Sequence, residues 1–389
     1  MSFHSVLCHG NAAAALALRH AKPGVLALYP ITPSTAAAEA VALDVQNGLM
    51  DTELVLVEGE NSALAACIGA SAAGLRTATI TSSQGLLYMA QILLIASGMR
   101  LPLVILNATR AVSAPLNVNG DHSDAMATRA MGCVQLFARN AQEVYDLTLM
   151  AFRIAEEALL PVMVCYDGFS VSHTMTTVEP LFPEVAAQFV GEYTPVNSML
   201  DTTAPRTYGP VCGPAYYTQA KFAQRSAMRS VLDIYAKVAQ EYAVLSARAI
   251  PGLFETYLTV DAEEIVVLLG STTGTMRETI DELRCHGRKV GMLSLLCYRP
   301  FPEDIVRAVL QRAARVIVLD RSEEYGTPGG PLFTDVCAAL YRLPHARPDV
   351  YGFVYGLGGK ELLPSTARDM FTLVDISEPF DLMYLQEGE

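Results

Sequence analysis

Hydrophobic residues in the first 170 positions form short unbroken runs that alternate with longer segments of helical character. Unbroken apolar runs between turn signals are typical of buried strands. We predict strands at 25–29, 54–57, 77–81, 103–106 and 162–166, and helices at 33–47, 60–74, 84–98 and 141–159. Strands that alternate with helices in this way indicate a parallel sheet with helices on both faces. The sequence therefore predicts an α/β fold.

Two of the predicted helices have no polar face. Residues 60–74 and 85–97 are apolar or small on nearly every side, and a helix of this kind is buried all round. One side can pack on the sheet, so we expect the other side to meet another subunit or domain. A third layer within the same chain is the alternative.

The turn after the first predicted strand carries Thr32 and Pro33. Their positions predict that Thr32 is the N-cap and Pro33 the first residue of helix 33–47. Such a helix start directs a hydroxyl and free backbone N–H groups toward one point, which suits a carboxylate or a phosphate. The alternative is that Thr32 only caps its helix. A capping box of Asn140 with Glu143 is predicted for helix 141–159.

Polar side chains follow the predicted strands at the point where each strand ends. They are Thr32, Glu58, Glu60, Ser82, Ser83, Arg110 and Asp167. Parallel sheets bind their ligands at the carboxyl ends of the strands. We therefore predict a ligand site at this edge of the sheet.

The second half of the chain repeats the α/β pattern on a smaller scale. Residues 190–216, rich in Pro, Gly, Thr and Tyr, are predicted to be a surface linker before a long helix at about 218–247. Apolar spacing on this helix favours packing of one face on a domain, with a short coiled coil as the alternative. Further strands are predicted at 264–269, 290–297 and 315–320, with a last helix after residue 330. We divide the chain into domain 1–190, linker and long helix 191–255, and domain 256–389.

Composition adds limits on burial and on partners. Hydrophobic residues make up 51% of the chain and charged residues 17%, which indicates extensive burial, including subunit interfaces. The net charge of -13 argues against nucleic acid or an anionic membrane as a partner. The most membrane-like stretch, 85–106, is interrupted by polar residues, so we predict a helix, a turn and a strand there rather than a bilayer span.

The eight cysteines form no Cys-x-x-Cys motif, and none has a histidine at metal-ligand spacing. Several lie within apolar runs, so we predict the buried, reduced thiols of a cytoplasmic protein. The chain is therefore expected to bind no metal ion and no iron–sulfur cluster of its own.

The polar strand ends belong to an ordered set of short motifs. The first domain has Tyr-Pro-Ile-Thr-Pro-Ser-Thr at 29–35, Glu-Gly-Glu-Asn-Ser-Ala at 58–63, Thr-Ser-Ser-Gln-Gly-Leu at 81–86, Gly-Asp-His-Ser-Asp at 120–124 and Asp-Gly-Phe at 167–169. The second domain has Tyr-Arg-Pro-Phe-Pro at 298–302 and Gly-Gly-Pro-Leu-Phe at 329–333. Over nearly the whole chain, this set resembles the alpha subunit of 2-oxoacid:ferredoxin oxidoreductases, and most closely the pyruvate-specific members.

This resemblance implies a fold, an activity and partners. The fold is a thiamine-diphosphate pyrimidine-binding-like parallel sheet domain followed by a smaller transketolase C-terminal-like α/β domain. The family oxidatively decarboxylates a 2-oxo acid on thiamine diphosphate, transfers the acyl group to coenzyme A and passes electrons through [4Fe–4S] clusters to ferredoxin, or runs the reverse reaction. The resemblance further implies that thiamine diphosphate is shared with a beta subunit, and that Mg²⁺ and the clusters lie on beta, gamma and delta chains.

The resemblance also assigns residues to the cofactor. Glu60 matches the glutamate that bonds the aminopyrimidine ring of thiamine, and Glu58, two positions earlier, is its rival. The alternative for either residue is a carboxylate stabilised by a helix N-terminus. Ser82, Ser83 and Gln84 are expected to contact the same ring.

A second group of residues is assigned to the substrate. Thr32 matches the threonine that hydrogen-bonds the substrate, and Arg110 matches the arginine that pairs with the substrate carboxylate, for which an arginine fork is suited. Asp121, His122 and Asp124 are expected to line the same cleft. The sequence leaves open whether His122 relays protons or is a structural loop histidine.

Two other functions stay open at this point. A relative that acts on branched-chain or aryl 2-oxo acids is one, because the small residues at 111–116 permit either substrate size. A non-catalytic α/β scaffold that only binds partners is the other, and it predicts no need for Glu60 or Arg110.

Overall fold

The computed structural model describes residues 5–248, 250, 252–344, 347–380 and 382–385. The first part of the chain runs β1 (Val6–Cys8), α1 (Gly10–Ala21), β2 (Val25–Leu28), α2 (Thr35–Gln46), β3 (Glu53–Leu56), α3 (Glu60–Ala72), β4 (Thr77–Thr81), α4 (Ser83–Tyr88), α5 (Ala90–Gly98), β5 (Leu103–Thr109), α6 (Ser123–Ala127), β6 (Val134–Ala138), α7 (Ala141–Ala158), β7 (Pro161–Asp167), β8 (Thr176–Val178) and α8 (Pro183–Val190). The second part runs α9 (Pro214–Ser246), β9 (Phe254–Tyr257), β10 (Glu264–Leu269), α10 (Thr273–Cys285), β11 (Val290–Leu295), β12 (Cys297–Arg299), α11 (Glu303–Leu310), β13 (Arg315–Asp320), α12 (Pro331–Tyr341), β14 (Asp349–Val354), a 3-10 turn (Leu357–Gly359), α13 (Pro364–Ile376) and β15 (Leu382–Tyr384).

The first large sheet has seven strands in the order β12-β6-β7-β5-β4-β2-β3. All neighbours in it are parallel except β12, which runs antiparallel to β6. Strand β2 pairs with β3 on one side and β4 on the other, so the chain reverses its direction of travel across the sheet between β2 and β4. Open α/β sheets bind their ligands at such a switch point, outside the carboxyl ends of the strands.

The second sheet has six strands in the order β15-β14-β13-β10-β11-β9, and only β9 is antiparallel to its neighbour. One hydrophobic core joins the two sheets, because apolar residues of α3, α5 and β5 cluster with those of β10, β11 and α12. A separate core covers the other face of the first sheet, where α1 and α7 pack. The parallel α/β organisation predicted from the sequence is confirmed.

The start of α2 differs from the prediction. Thr32 is not the N-cap and Pro33 is not the first helical residue, because a turn intervenes. In this turn Ser34 donates from its backbone N–H and from its hydroxyl to the carbonyl oxygen of Ile31, each at 2.9 Å, and α2 begins at Thr35. The Thr32 side chain is left exposed beyond the carboxyl end of β2, and it makes no hydrogen bond within the described part of the chain.

Two further predictions are corrected in detail. The helix predicted at 84–98 is divided into α4 and α5 at Met89. At α7, Asn140 accepts from the backbone N–H of Glu143 at 3.0 Å, as a capping box requires. The Glu143 carboxylate does not return to Asn140: it accepts instead from the backbone N–H of Arg139 at 2.9 Å, because the Arg139 guanidinium pairs with it.

The long helix α9 packs one face on the first domain, as predicted. Val231, Tyr235, Val238 and Tyr242 are fully buried on that face, and the Tyr242 hydroxyl donates to Asp146 of α7 at 2.6 Å. None of the helices within the described ranges combines the length and apolar character that a bilayer span requires.

Part of the surface of α4 and α5 is apolar and exposed. Tyr88, Leu94 and Ile95 are exposed there. The exposed apolar side chains are consistent with the expectation that another subunit meets these helices, which stays a prediction.

Candidate active site

The ends of β2, β4 and β5 bring most of the predicted polar residues to one edge of the first sheet. Thr32 follows β2, Ser82 follows β4 and Arg110 follows β5. The chain returns from the neighbouring edge strand β3 to Glu60, which opens α3. These four positions surround the switch point between β2 and β4.

Glu60 is the first residue of α3 and is only 9% exposed. The backbone of Gly85 on α4 lies against it so closely that a Cβ at Gly85 would be 2.6 Å from Glu60 Oε1. The Glu60 carboxyl has no hydrogen-bond or ion-pair partner among the residues that the structure describes. A buried carboxyl without a partner is costly to a fold, so this group is suited to a ligand.

Glu58, the rival of Glu60, lies in a different environment. Its side chain is exposed and accepts from the Ser62 hydroxyl at 2.5 Å, and this hydrogen bond lowers the pKa of Glu58. Glu58 is therefore satisfied at the surface, whereas Glu60 is enclosed between α3 and α4.

Two polar groups of the segment that follows β4 or ends it are also buried without a partner in the described ranges: the Thr81 hydroxyl and the Gln84 amide nitrogen. A Cβ at Gly85 would lie 2.7 Å from Thr81 Oγ1 as well as against Glu60. Because Gly85 has no side chain, the Glu60 carboxyl and the Thr81 hydroxyl can approach the same point. The role of this glycine was missed at the sequence level, where it was quoted only as part of a motif.

Ser82 and Ser83 are fully buried, and their hydroxyls are used by the chain itself. Ser82 donates to the carbonyl of Ala108 at 2.6 Å and Ser83 to that of Ala111 at 2.5 Å. These bonds attach the turn after β4 to the end of β5. Both serines are therefore held beneath the site by their own hydrogen bonds.

Asp124 links the same two turns from below. Its carboxyl accepts from the backbone N–H groups of Ser83 at 2.7 Å, Arg110 at 3.1 Å and Ala125 at 2.6 Å. Burial raises the pKa of Asp124 to about 7, and these N–H groups oppose that rise only in part. Its position shows that it supports the site from within the fold and does not line the cleft directly.

Arg110 is 6% exposed and is held by carbonyl oxygens rather than by acids. Its Nη1 donates to the carbonyl of Thr32 at 2.9 Å and its Nε to that of Asn117 at 3.0 Å. It has no ion-pair partner in the described part of the chain, and burial lowers its pKa. An unpaired buried guanidinium beside the free hydroxyl of Thr32 is suited to bind a carboxylate.

Asp121 and His122 lie deeper, between the first sheet and the second. The Asp121 carboxyl accepts from the backbone N–H groups of Ser123 at 2.9 Å and Gly358 at 3.0 Å. His122 Nε2 lies 2.6 Å from Asp167 Oδ1. Both side chains are buried, and the Asp121 carboxyl and His122 Nε2 are already bonded within the chain.

The network around His122 continues into the second sheet. Asp167 accepts from the backbone N–H of Ser271 at 2.7 Å, and Arg321 Nη1 lies 3.4 Å from its Oδ1. Burial alone would raise the pKa of Asp167, but His122 and Arg321 outweigh it, and this pKa lies below its usual range. Ser271 and Arg321 were not predicted, although both follow strands of the second domain and the strand-end rule would have found them.

Comparison with known proteins identifies the family. The family model "Pyruvate flavodoxin/ferredoxin oxidoreductase, thiamine diP-bdg" matches residues 16–240, and "Pyruvate:ferredoxin oxidoreductase core domain II" matches residues 262–367. The chain belongs to the pyruvate flavodoxin/ferredoxin oxidoreductase family. The resemblance found in the sequence is confirmed, and with it the predicted class of enzyme, an oxidoreductase.

Curated relatives of this family match along most of their length. Pyruvate synthase subunit PorA of Thermotoga maritima is 43% identical over 93% of this chain and 92% of its own. The same subunit of Methanothermobacter thermautotrophicus is 40% identical over 92% of each chain. Ketoisovalerate oxidoreductase subunit VorA of Pyrococcus horikoshii is 36% identical over 94% of this chain and 92% of its own.

Solved structures confirm the predicted fold class. A 2-oxoglutarate:ferredoxin oxidoreductase from Magnetococcus marinus superposes with a TM-score of 0.75 at 20% identity, covering 95% of this chain and 65% of that one. A split-gene transketolase superposes with a TM-score of 0.55 at 13% identity, covering 95% and 97%. The family therefore places a thiamine-diphosphate-binding fold in the first part of this chain, which contains the switch point.

The described residues contain no group of three or more histidine, cysteine, aspartate or glutamate side chains arranged to hold a metal ion. All eight cysteines are free thiols. Burial raises the pKa of Cys67 to about 12 and that of Cys297 to about 12, so these thiols stay protonated.

Proposed function

We propose that this chain is the alpha subunit of a thiamine-dependent 2-oxoacid:ferredoxin oxidoreductase that acts on pyruvate. The complete enzyme would convert pyruvate and coenzyme A into acetyl-CoA and CO₂, or run the reverse reaction. One observation carries the proposal: the buried Glu60 carboxyl shares a sheet edge with the buried Arg110 guanidinium, and neither has an ion-pair partner among the described residues. The pyruvate synthase relatives support the choice of substrate.

The residues around Glu60 fit the aminopyrimidine ring of thiamine diphosphate. When bound, this cofactor supplies the carbon nucleophile and the electron sink for decarboxylation. The Glu60 carboxyl would hydrogen-bond a ring nitrogen and hold or release a proton there, which is the task of a general acid–base group. The Gln84 amide nitrogen and the Thr81 hydroxyl, which have no partner in the described ranges, would be available to the same ring. Ser82 and Ser83 would form the floor beneath the ring.

The substrate side of the site is proposed around Arg110 and Thr32. The guanidinium would bind the carboxylate of the 2-oxo acid, and the free Thr32 hydroxyl would donate a further hydrogen bond to it. The Asp121 carboxyl and His122 Nε2, which were predicted to bind substrate, are already bonded within the chain. We therefore propose that they hold the loop beside Arg110 and shape the cleft.

The complete reaction needs groups that other chains would supply. We propose that a beta subunit shares thiamine diphosphate and holds Mg²⁺, and that [4Fe–4S] clusters on beta, gamma and delta subunits carry electrons to ferredoxin. The exposed apolar side chains of Tyr88, Leu94 and Ile95 on α4 and α5 support a partner chain in this place. The proposed setting is the cytoplasm.

A branched-chain 2-oxo acid is the second candidate substrate, because the ketoisovalerate oxidoreductase relative matches over nearly the same length. Assay of the assembled enzyme against pyruvate, 2-oxoisovalerate and an aryl 2-oxo acid decides between them. A kcat/KM at least tenfold higher for pyruvate, equal to about 1.4 kcal/mol, is expected. A higher value for the branched acid would move the assignment to the second candidate.

The test of the cofactor role is Glu60→Gln in the assembled enzyme. Loss of a positioned acid–base group lowers turnover by about 10² to 10⁴, while thermal stability and subunit assembly are expected to stay as in the wild type. Glu58→Gln is the matched control, because it changes an exposed glutamate two positions away. Turnover of Glu60→Gln equal to that of Glu58→Gln would remove the proposed role.

A further inference from the structure

The loop that follows Arg110 is attached to the second domain by a turn that is rich in glycine. We call residues 111–122 the connecting loop and residues 356–359 the glycine turn. Asn117 of the connecting loop donates from Nδ2 to the carbonyl of Gly358 at 3.0 Å. In the opposite direction, the backbone N–H of Gly358 donates to Asp121 Oδ2 at 3.0 Å. Gly358 therefore holds the connecting loop at two points.

The shape of the glycine turn is matched to the connecting loop. Gly356, Gly358 and Gly359 have φ angles of 65°, 60° and 87°, a region that residues with a Cβ rarely adopt. A Cβ at Gly358 would lie 2.3 Å from Asn117 Nδ2, and a Cβ at Gly359 would lie 2.3 Å from the Cβ of Asn119. A side chain at Gly358 or Gly359 would therefore displace the connecting loop.

The connecting loop in turn holds Arg110. The carbonyl of Asn117 accepts from Arg110 Nε at 3.0 Å, and the carbonyl of Asn119 accepts from the backbone N–H of Ala111 at 3.1 Å. Asn117 is thus the link: its side chain bonds the second domain, and its backbone bonds the guanidinium.

We infer that the glycine turn is a positioning element for Arg110, and that the second domain sets the affinity of the site for the substrate carboxylate through Asn117. This inference rests on the proposed binding of that carboxylate by Arg110. Displacement of the turn would move the guanidinium without touching Glu60, so substrate affinity should fall while the chemical step is retained.

The test is Gly358→Ala in the assembled enzyme. We expect the KM for pyruvate to rise about tenfold, because the lost interaction binds the substrate and the transition state equally. We expect kcat, and the concentration of thiamine diphosphate that gives half-maximal activity, to be unchanged. Gly287→Ala is the matched control: Gly287 has a φ of 86°, and a Cβ there would meet no atom within 4 Å. The control likewise places an alanine at a positive φ, but without the contact.

Asn117→Ala provides the same test should Gly358→Ala fail to assemble, and it is expected to raise the KM in the same way. Its control in the same loop is Asn119→Ala, because the Asn119 side chain is exposed and makes no hydrogen bond within the described ranges. An unchanged KM in Gly358→Ala or Asn117→Ala, relative to these controls, overturns the inference.

Arg110→Met separates the inference from the proposed function. If Arg110→Met leaves the KM unchanged, the proposed carboxylate role fails, and the inference fails with it. If Arg110→Met raises the KM, Gly358→Ala should add nothing in that background, since the two changes act through one guanidinium. A full, independent effect of Gly358→Ala in the Arg110→Met background would contradict the inference alone.

Discussion

Arg110 and Arg321 are buried to nearly the same extent, at 6% and 5% exposed, but their surroundings differ. Arg321, at the carboxyl end of β13, lies beside the Asp167 carboxylate. Burial alone would lower the pKa of Arg321, but nearby groups, of which Asp167 contributes most, together outweigh it, and the pKa is raised. Among the described residues, the Arg110 guanidinium has only carbonyl oxygens as direct partners, and burial lowers its pKa.

This difference distinguishes a charged side chain that stabilises the fold, Arg321, from one that is available to bind a ligand, Arg110. A buried ion pair is satisfied within the fold, and breaking it leaves an uncompensated charge. A buried cation that is held only by carbonyl oxygens becomes more stable when an anion binds to it. Glu60 and Asp320 repeat this contrast for carboxyls: Asp320 accepts from the backbone N–H groups of Leu332 and Phe333, whereas Glu60 has no such partner in the described ranges.

The largest expected effect on stability comes from Arg321→Met. This change leaves the buried Asp167 carboxylate without its guanidinium, and we expect the free energy of unfolding to fall by about 3 kcal/mol. Thermal unfolding of the assembled enzyme measures it. A melting temperature within one degree of the wild type would show that the pair is not structural and would weaken the comparison.

Arg110→Met is the matched change at the site. Because no ion pair is lost, we expect the free energy of unfolding to change by no more than about 1 kcal/mol. The KM for pyruvate should rise by about 10- to 100-fold, since a hydrogen bond to a charged group contributes about 1.5–3 kcal/mol. Steady-state kinetics and thermal unfolding on the same preparation check both expectations. Greater destabilisation than in Arg321→Met would reverse the assignment of the two arginines.

A smaller effect on stability and on the KM is expected when two threonines, one beyond a strand of each sheet, are replaced by valine. The Thr273 hydroxyl is buried between the carbonyl of Gly270 and the Ser294 hydroxyl, each at 2.9 Å, whereas the Thr32 hydroxyl is free. Thr273→Val should lower the free energy of unfolding by about 1 kcal/mol with an unchanged KM. Thr32→Val should raise the KM by about two- to tenfold with unchanged stability. The same response from both variants would contradict the division between the two edges.

The strands of the first sheet were predictable because parallel strands buried on both faces are continuous apolar runs. Strand β6 was missed because Gln135 interrupts its run. That side chain is buried and donates to the carbonyl of Ala125 at 2.8 Å, a partner that only the folded chain supplies. The single strand predicted at 290–297 is two strands, because Leu296 and Cys297 bond the carbonyl of Leu253 and direct β12 to the edge of the other sheet.

The candidate site was predictable as a set of strand-end residues, but not as a set of roles. Spacing alone did not decide whether Glu58 or Glu60 is the candidate cofactor residue. The fold distinguishes the two, because it encloses Glu60 against Gly85 and leaves Glu58 exposed. Thr32 was found at the correct strand end, but for an incorrect reason: it does not cap α2. The network of Asp167, His122 and Arg321 joins residues from distant parts of the chain.

The order of apolar and polar runs by itself determined that this protein has two successive α/β units and a polar edge on the first. The local pattern of apolar residues indicates which segments are buried strands, and the ends of those segments give the strand ends. Only the tertiary structure decided which polar groups at that edge are satisfied and which stay free. That outcome depends on contacts between distant parts of the chain, such as the close approach of Gly85 to Glu60 and the hydrogen bond between Asn117 and Gly358, and no local pattern encodes them.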